Sequence, residues 1–195
     1  MRGKAAVPSA IEFRRLLTVT KAGKLGLRNA AIVNVSYRLG LRAKEIAGLR
    51  VSDVLDGELR LRDECRLSGK VTKGSKPRVA YLSNTHLRAS LLDYIRWRQV
   101  REGILFNREA SLFKSQKGAA FSPNTMQQLL ARLHADAGVQ GGRSHSGRRW
   151  FATELISRGI DLKSVSVLMG HSSVSMTAHY AEDNPQKLRK ITADL

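Results

Sequence analysis

The spacing of apolar residues changes twice along this chain, which restricts the folds open to it. Through residues 9–49 the apolar side chains recur every three or four positions, the spacing of a helix that buries one face. Residues 58–62 and 78–82 alternate instead, Leu59 and Leu61 in the first and Val79 and Tyr81 in the second, as half-buried strands do. Helical spacing returns at residue 85 and holds to the end. A chain patterned in this way is mainly α with one small sheet. We expect three short antiparallel strands, with residues 67–72 and the turn Lys73-Gly74-Ser75-Lys76-Pro77 lying between the two alternating stretches.

Start and stop signals divide the helical parts. Ser9 and Glu12 have the spacing of a capping box and open a helix over 9–22. Gly23 and Gly26 break it, a second helix follows over 27–37, and Gly40 stops that one before a short third over 42–49. Beyond the strands, helices are expected over 85–101 and 145–157, and from Ser122-Pro123 to residue 137. Asp161 caps a helix ending at Met169-Gly170. Ser172 or Ser173 caps one reaching Tyr180, and Pro185 opens a last one over 186–193.

Composition narrows the function. Thirty-four Lys and Arg against sixteen Asp and Glu give 195 residues a net charge of +18. Polyanions are the natural partners of such a surface, nucleic acid foremost. The basic residues are interleaved with apolar ones, so they decorate a folded body rather than a low-complexity tail. The single cysteine, Cys65, excludes an intramolecular disulfide framework and a thiolate zinc site, and fits a reducing compartment. No apolar run is long enough for a membrane span or a signal peptide. Phosphate-loop and metalloprotease motifs are absent. The expectation is therefore chemistry without a metal, or no chemistry at all.

The residues that point to chemistry lie between Ser144 and Tyr180. His145 and Arg148 are three apart and share one helical face. A guanidinium matches a phosphate in geometry, and an imidazole beside it exchanges protons. His171 and Tyr180 are nine apart. On one unbroken helix they would point in opposite directions. They converge only if His171 precedes the helix, and Gly170 provides that break. Thr177 shares the face of Tyr180. Upstream, Lys70, Lys73 and Lys76 sit in a basic turn where any of them could bind backbone phosphate.

The ordered set His145-x-x-Arg148, Leu168-Met169-Gly170-His171 and Thr177-x-x-Tyr180 resembles the C-terminal signature of the tyrosine recombinases, or phage integrases. Residues 37–49, with Val51-Ser52-Asp53-Val54 after them, are similar to that family's first arginine box, which places a catalytic arginine at Arg42. Residues 71–78 resemble its β-hairpin, which places a catalytic lysine at Lys73, beside Gly74. The resemblance implies the catalytic-domain fold of that family. Tyr180 attacks a DNA phosphodiester to give a 3′-phosphotyrosyl link, and His145 acts as its base. Arg42, Arg148 and His171 stabilise the transition state, Lys73 protonates the leaving oxygen, and Glu45 orients Arg42 or His145. Lys70, Lys76, Arg78, Arg143 and Arg149 are the expected DNA contacts. No metal or cofactor is implied. One departure is Gly147, which stands where the family has leucine before the arginine. Glycine there is expected to loosen the packing of the helix and shift Arg148.

The resemblance covers a catalytic domain alone, a single domain over 1–195 in a short form without the family's N-terminal DNA-binding arm. Residues 181–195 form a tail helix that packs on a neighbouring subunit or folds back on its own core. The expected partner is double-stranded DNA, with a tetramer on two synapsed sites and a monomer or weak oligomer when free. The location is cytoplasmic, with the nucleoid. Two rivals stand beside recombination: nicking and resealing in the manner of a type IB topoisomerase, and DNA-binding regulation without cleavage. The charge makes a prediction under any of the three. Duplex affinity, titrated by fluorescence anisotropy against salt, should fall linearly on logarithmic axes. A flat response would count against phosphate-dominated binding.

Overall fold

Ser9 and Glu12 open the first helix with the expected reciprocal capping. The Ser9 hydroxyl accepts from the Glu12 N–H, and the Glu12 carboxylate accepts from the Ser9 N–H at 2.8 Å. In the computed structural model, residues 5–67 and 77–181 are described. The expected tail helix over 186–193, most of the expected strand over 67–72, and Lys70, Lys73 and Lys76 lie outside the described residues. The chain divides into two compact units, residues 1–151 and 152–195.

The first unit holds α1 (Ala10–Lys21), α2 (Gly26–Leu39), α3 (Ala43–Gly48), α4 (Val51–Val54), β1 (Glu64–Leu67), β2 (Arg78–Tyr81), α5 (Thr85–Glu102), a 3-10 turn (Gly103–Leu105), α6 (Pro123–Asp136) and the start of α7 (Ser146–Ser157). Helix α2 is buried on nearly every side, through Ala30–Val33 and Val35–Tyr37. It packs against α1 and α5, and α3 packs against α6. Phe13, Leu16, Ile32, Leu91, Ile95 and Leu130 belong to one continuous apolar core. Asn84 and Ser122 cap α5 and α6 with their side chains, and Pro123 takes the first position of α6.

The sheet differs from expectation. Among the described residues it has two strands, paired antiparallel with Glu64 opposite Tyr81 and Leu67 opposite Arg78. Residues 58–62 do not form a strand, and the reason is Asp56. Its carboxylate accepts from the backbone N–H groups of Glu58 and Arg60, both at 2.9 Å, and curls the chain into a turn. Leu59 is forced to a positive φ of 61° and left exposed. An isolated bridge joins Leu55 to Leu61 instead. The side-chain bonds of Asp56 compete with the ladder and win, because both donors lie within four residues of it.

In the second unit, Asp161 caps α8 (Leu162–Met169), accepting from the Ser164 N–H at 2.9 Å. Gly170 ends that helix in the left-handed conformation. Helix α9 (Ser175–Ala178) is a single turn.

Gly147 reverses the expectation made for it. It is buried, and a Cβ at this position would meet the Ser36 hydroxyl, the Tyr37 ring at 2.7 Å and the Ser36 backbone at 3.0 Å. The missing side chain therefore tightens the approach of α7 to α2 rather than loosening it. Gly147→Ala should cost roughly 1–3 kcal/mol through overpacking. Urea unfolding of the two proteins checks this, and equal midpoints would rule out the close approach.

Candidate active site

Helix α2 ends on Gly40 at φ 60°, a conformation glycine adopts without strain. A Cβ there would come within 2.5 Å of the Phe151 ring. The Gly40 carbonyl accepts a hydrogen bond from Nη1 of Arg148 at 2.7 Å, and Arg148 is buried. The α2 terminus thus fixes the arginine of α7 and, two residues on, delivers Arg42 to the start of α3.

Glu45 governs that start. Its side chain is 0% exposed. Oε2 accepts from the Arg42 backbone N–H at 2.7 Å, and Oε1 accepts from Arg42 Nη1 at 3.0 Å. Arg78, entering from β2, donates Nη2 to Oε2 at 2.7 Å and Nε to Oε1 at 3.4 Å. Burial pushes the Glu45 carboxyl up. The hydrogen bond and charge of Arg78, the Arg42 backbone bond and the charge of Arg148 outweigh it and hold the group below the usual carboxylate range. One buried anion therefore sits among three cations, and the excess charge is positive. The Arg42 side chain is 17% exposed, and among the described residues it makes no side-chain hydrogen bond besides that to Glu45. Its Nε and Nη2 are available to an anion, in the fork geometry that suits a phosphate.

His145 stands at the start of α7, its carbonyl accepting from the Arg149 N–H at 2.9 Å. The residue is exposed. Desolvation, followed by the like charges of Arg148 and Arg42, pushes its pKa below the ordinary value. The imidazole is therefore neutral at neutral pH and able to accept a proton.

The second unit brings the other candidates together. The break at Gly170 forms, and the His171 N–H bonds back to the Ser166 carbonyl at 3.0 Å. The His171 and Tyr180 rings lie nearly parallel, 9° apart in plane and 5.9 Å between centroids. Nδ1 of His171 is 2.8 Å from the hydroxyl of buried Thr177, which fixes the orientation of the ring. The sequence placed Thr177 on the face of Tyr180 but did not signal its bond to His171.

The expected DNA contacts separate. Arg143 is exposed, Arg149 is half-buried, and Lys70 and Lys76 lie outside the described residues, as does Lys73. Arg78 is not a surface cation. Its side chain is 7% exposed and engaged with Glu45. Sequence reasoning missed this because a buried ion pair between residues 33 apart leaves no local pattern. It also missed the buried bond of 2.7 Å between the Tyr37 hydroxyl and Nε2 of His134, for the same reason. Among the described residues, no group of three or more His, Cys, Asp or Glu could hold a metal ion.

The Phage integrase family pattern matches residues 9–187. The chain belongs to the phage integrase family. Among curated relatives, this phage integrase chain is 32% identical over 186 residues to tyrosine recombinase XerD of Oceanobacillus iheyensis, covering 92% of this chain and 58% of that protein. Among solved structures it resembles XerA recombinase with a TM-score of 0.75 at 25% identity, covering 97% of this chain and 62% of that one. It has the fold of the Tn1549 transposon integrase solved in complex with transposon right end DNA, with a TM-score of 0.75 at 18% identity, covering 98% of this chain and 66% of that one. The chain thus spans about three-fifths of the length of XerD.

The electrostatics around His145 can be measured directly. In an NMR titration its imidazole should gain its proton below pH 6.5, the ordinary histidine value. Arg42→Gln removes one neighbouring cation and should move that titration upward. No movement would mean that the arginine charge does not reach the ring.

Proposed function

We propose that this phage integrase chain is the catalytic part of a site-specific recombinase that cuts and rejoins double-stranded DNA through Tyr180. The two compact units act together as one catalytic domain. The Tyr180 oxygen attacks a phosphorus atom, the bond from phosphorus to the 5′-oxygen breaks, and a 3′-phosphotyrosyl link forms. The phenol proton passes to neutral His145, and Lys73 protonates the leaving 5′-oxygen. Arg42, Arg148 and His171 donate to the non-bridging oxygens, where negative charge gathers. The link conserves the energy of the broken ester, so a different 5′-hydroxyl can displace the tyrosine and exchange strands. A tetramer on two synapsed sites is the working form.

The observation that carries this reading is the pairing of Tyr180 with His171 behind the Gly170 break. The proposed nucleophile thus has beside it an imidazole that Thr177 holds in orientation. The donor edge of Arg42, whose Nη1 alone is bound to Glu45, supports it from the first unit.

On a nicked suicide duplex the protein should form a covalent adduct, seen as a shifted band on a denaturing gel. Tyr180→Phe should abolish the adduct while keeping duplex affinity. Exchange between two labelled duplexes is expected as well. An absent wild-type adduct would favour a regulator that does not cut, and relaxation of supercoils without exchange would favour topoisomerase action.

A further inference from the structure

We propose, on the basis of the recombinase reading above, that Arg78 is a positioning residue: by occupying Glu45 it keeps Arg42 from closing on that carboxylate and leaves Arg42 Nε and Nη2 for a DNA phosphate. An arginine and a carboxylate left to themselves favour a bidentate, fork-to-fork pair. Arg42 does not make one. It reaches Glu45 through Nη1 alone on Oε1, while Oε2 is held by Arg78 Nη2 at 2.7 Å and by the Arg42 backbone N–H. The difference in exposure fits this division of roles. Arg78 is 7% exposed and the Arg42 side chain 17%, so Arg42 is the more open to a ligand. Arg78 is itself anchored, because it opens β2 and pairs in register with Leu67.

The charges facing Glu45 come from three elements: Arg42 at the start of α3, Arg78 from β2 and Arg148 from α7. With Arg78 replaced by a neutral residue, the upward push of burial on Glu45 loses its strongest opponent. The carboxyl then titrates at higher pH, and its protonated form no longer holds Arg42. Arg78 does not touch DNA in this account, so its loss should slow cleavage and lower duplex affinity by no more than the loss of Arg42 does.

The test measures single-turnover cleavage of a nicked suicide duplex across pH, together with duplex affinity by anisotropy, on the full chain. Arg78→Gln should slow cleavage by on the order of 10²-fold, the scale of a misplaced reacting group. The loss should ease toward acid pH, where Glu45 takes up its proton and releases Arg42, and persist toward alkaline pH. Arg78→Lys, which keeps the charge and one donor, should restore part of the rate. In a Glu45→Gln background the Arg78→Gln effect should largely vanish, because both residues act through one contact. Additive losses, or a fall in duplex affinity larger than that caused by Arg42→Gln, would overturn the proposal and make Arg78 a phosphate contact. Arg78→Met fills the buried space without a stranded polar group and serves if Arg78→Gln melts early. If the wild-type protein makes no adduct, the recombinase reading fails, and the positioning claim is decided on affinity alone. Arg42→Gln should then weaken duplex binding in the wild type but little in Arg78→Gln, and equal losses in both would sink it.

Discussion

A fully buried carboxylate surrounded by arginines is stable only if every oxygen is engaged, and Glu45 meets that condition. It caps the start of α3 and accepts from two guanidinium groups, with Arg148 close enough to be felt. Removing one member of such a buried set costs on the order of 3–5 kcal/mol, because the charges left behind have lost their solvent as well as their partner. The same contact sets the chemistry. It leaves the local charge positive and fixes where the positive donors point. A phosphate entering there would find donors already in place, so little reorganisation is needed when negative charge builds.

Close backbone approach supplies the second constraint. Gly40 ends α2 against the Phe151 ring, and Gly147 brings α7 onto Ser36 and Tyr37. Between these contacts the Gly40 carbonyl meets Arg148. An apolar and aromatic cluster backs this arrangement. Phe13 stacks on Tyr37 with centroids 4.5 Å apart, Trp150 tilts against both, and Tyr37 hydrogen-bonds to His134. Large rings with few rotamers hold the helices at a defined separation, and the arginines of α3 and α7 inherit that precision.

Where one residue acts on its near neighbours, the sequence was easy to read. Ser9 with Glu12, Ser122 before Pro123, Asp161 at α8 and Gly170 after it all work through backbone groups within four residues. The break before His171 was legible for that reason, and with it the meeting of His171 and Tyr180. The strand expected over 58–62 failed at the same range. Alternation favoured a strand, Asp56 favoured a turn, and nothing in the pattern of apolar residues weighs a carboxylate against a ladder. The arginine box was legible as a motif, whereas the engagement of Arg78 with Glu45 was not.

By itself the sequence determined the order of the longer helices, the caps at Ser9, Ser122 and Asp161 and the basic composition of the chain. These follow from short-range spacing and from composition, which folding does not alter. The cap expected at Ser172 or Ser173 did not form, and α9 starts at Ser175. Tertiary structure alone decided that Arg78 is buried on Glu45, that Gly147 is a point of close packing, and that Arg42 keeps an open donor edge. Each of those depends on which distant segment arrives at a given side chain. Burial turns such a meeting from a weak surface attraction into a constraint that fixes charge and direction.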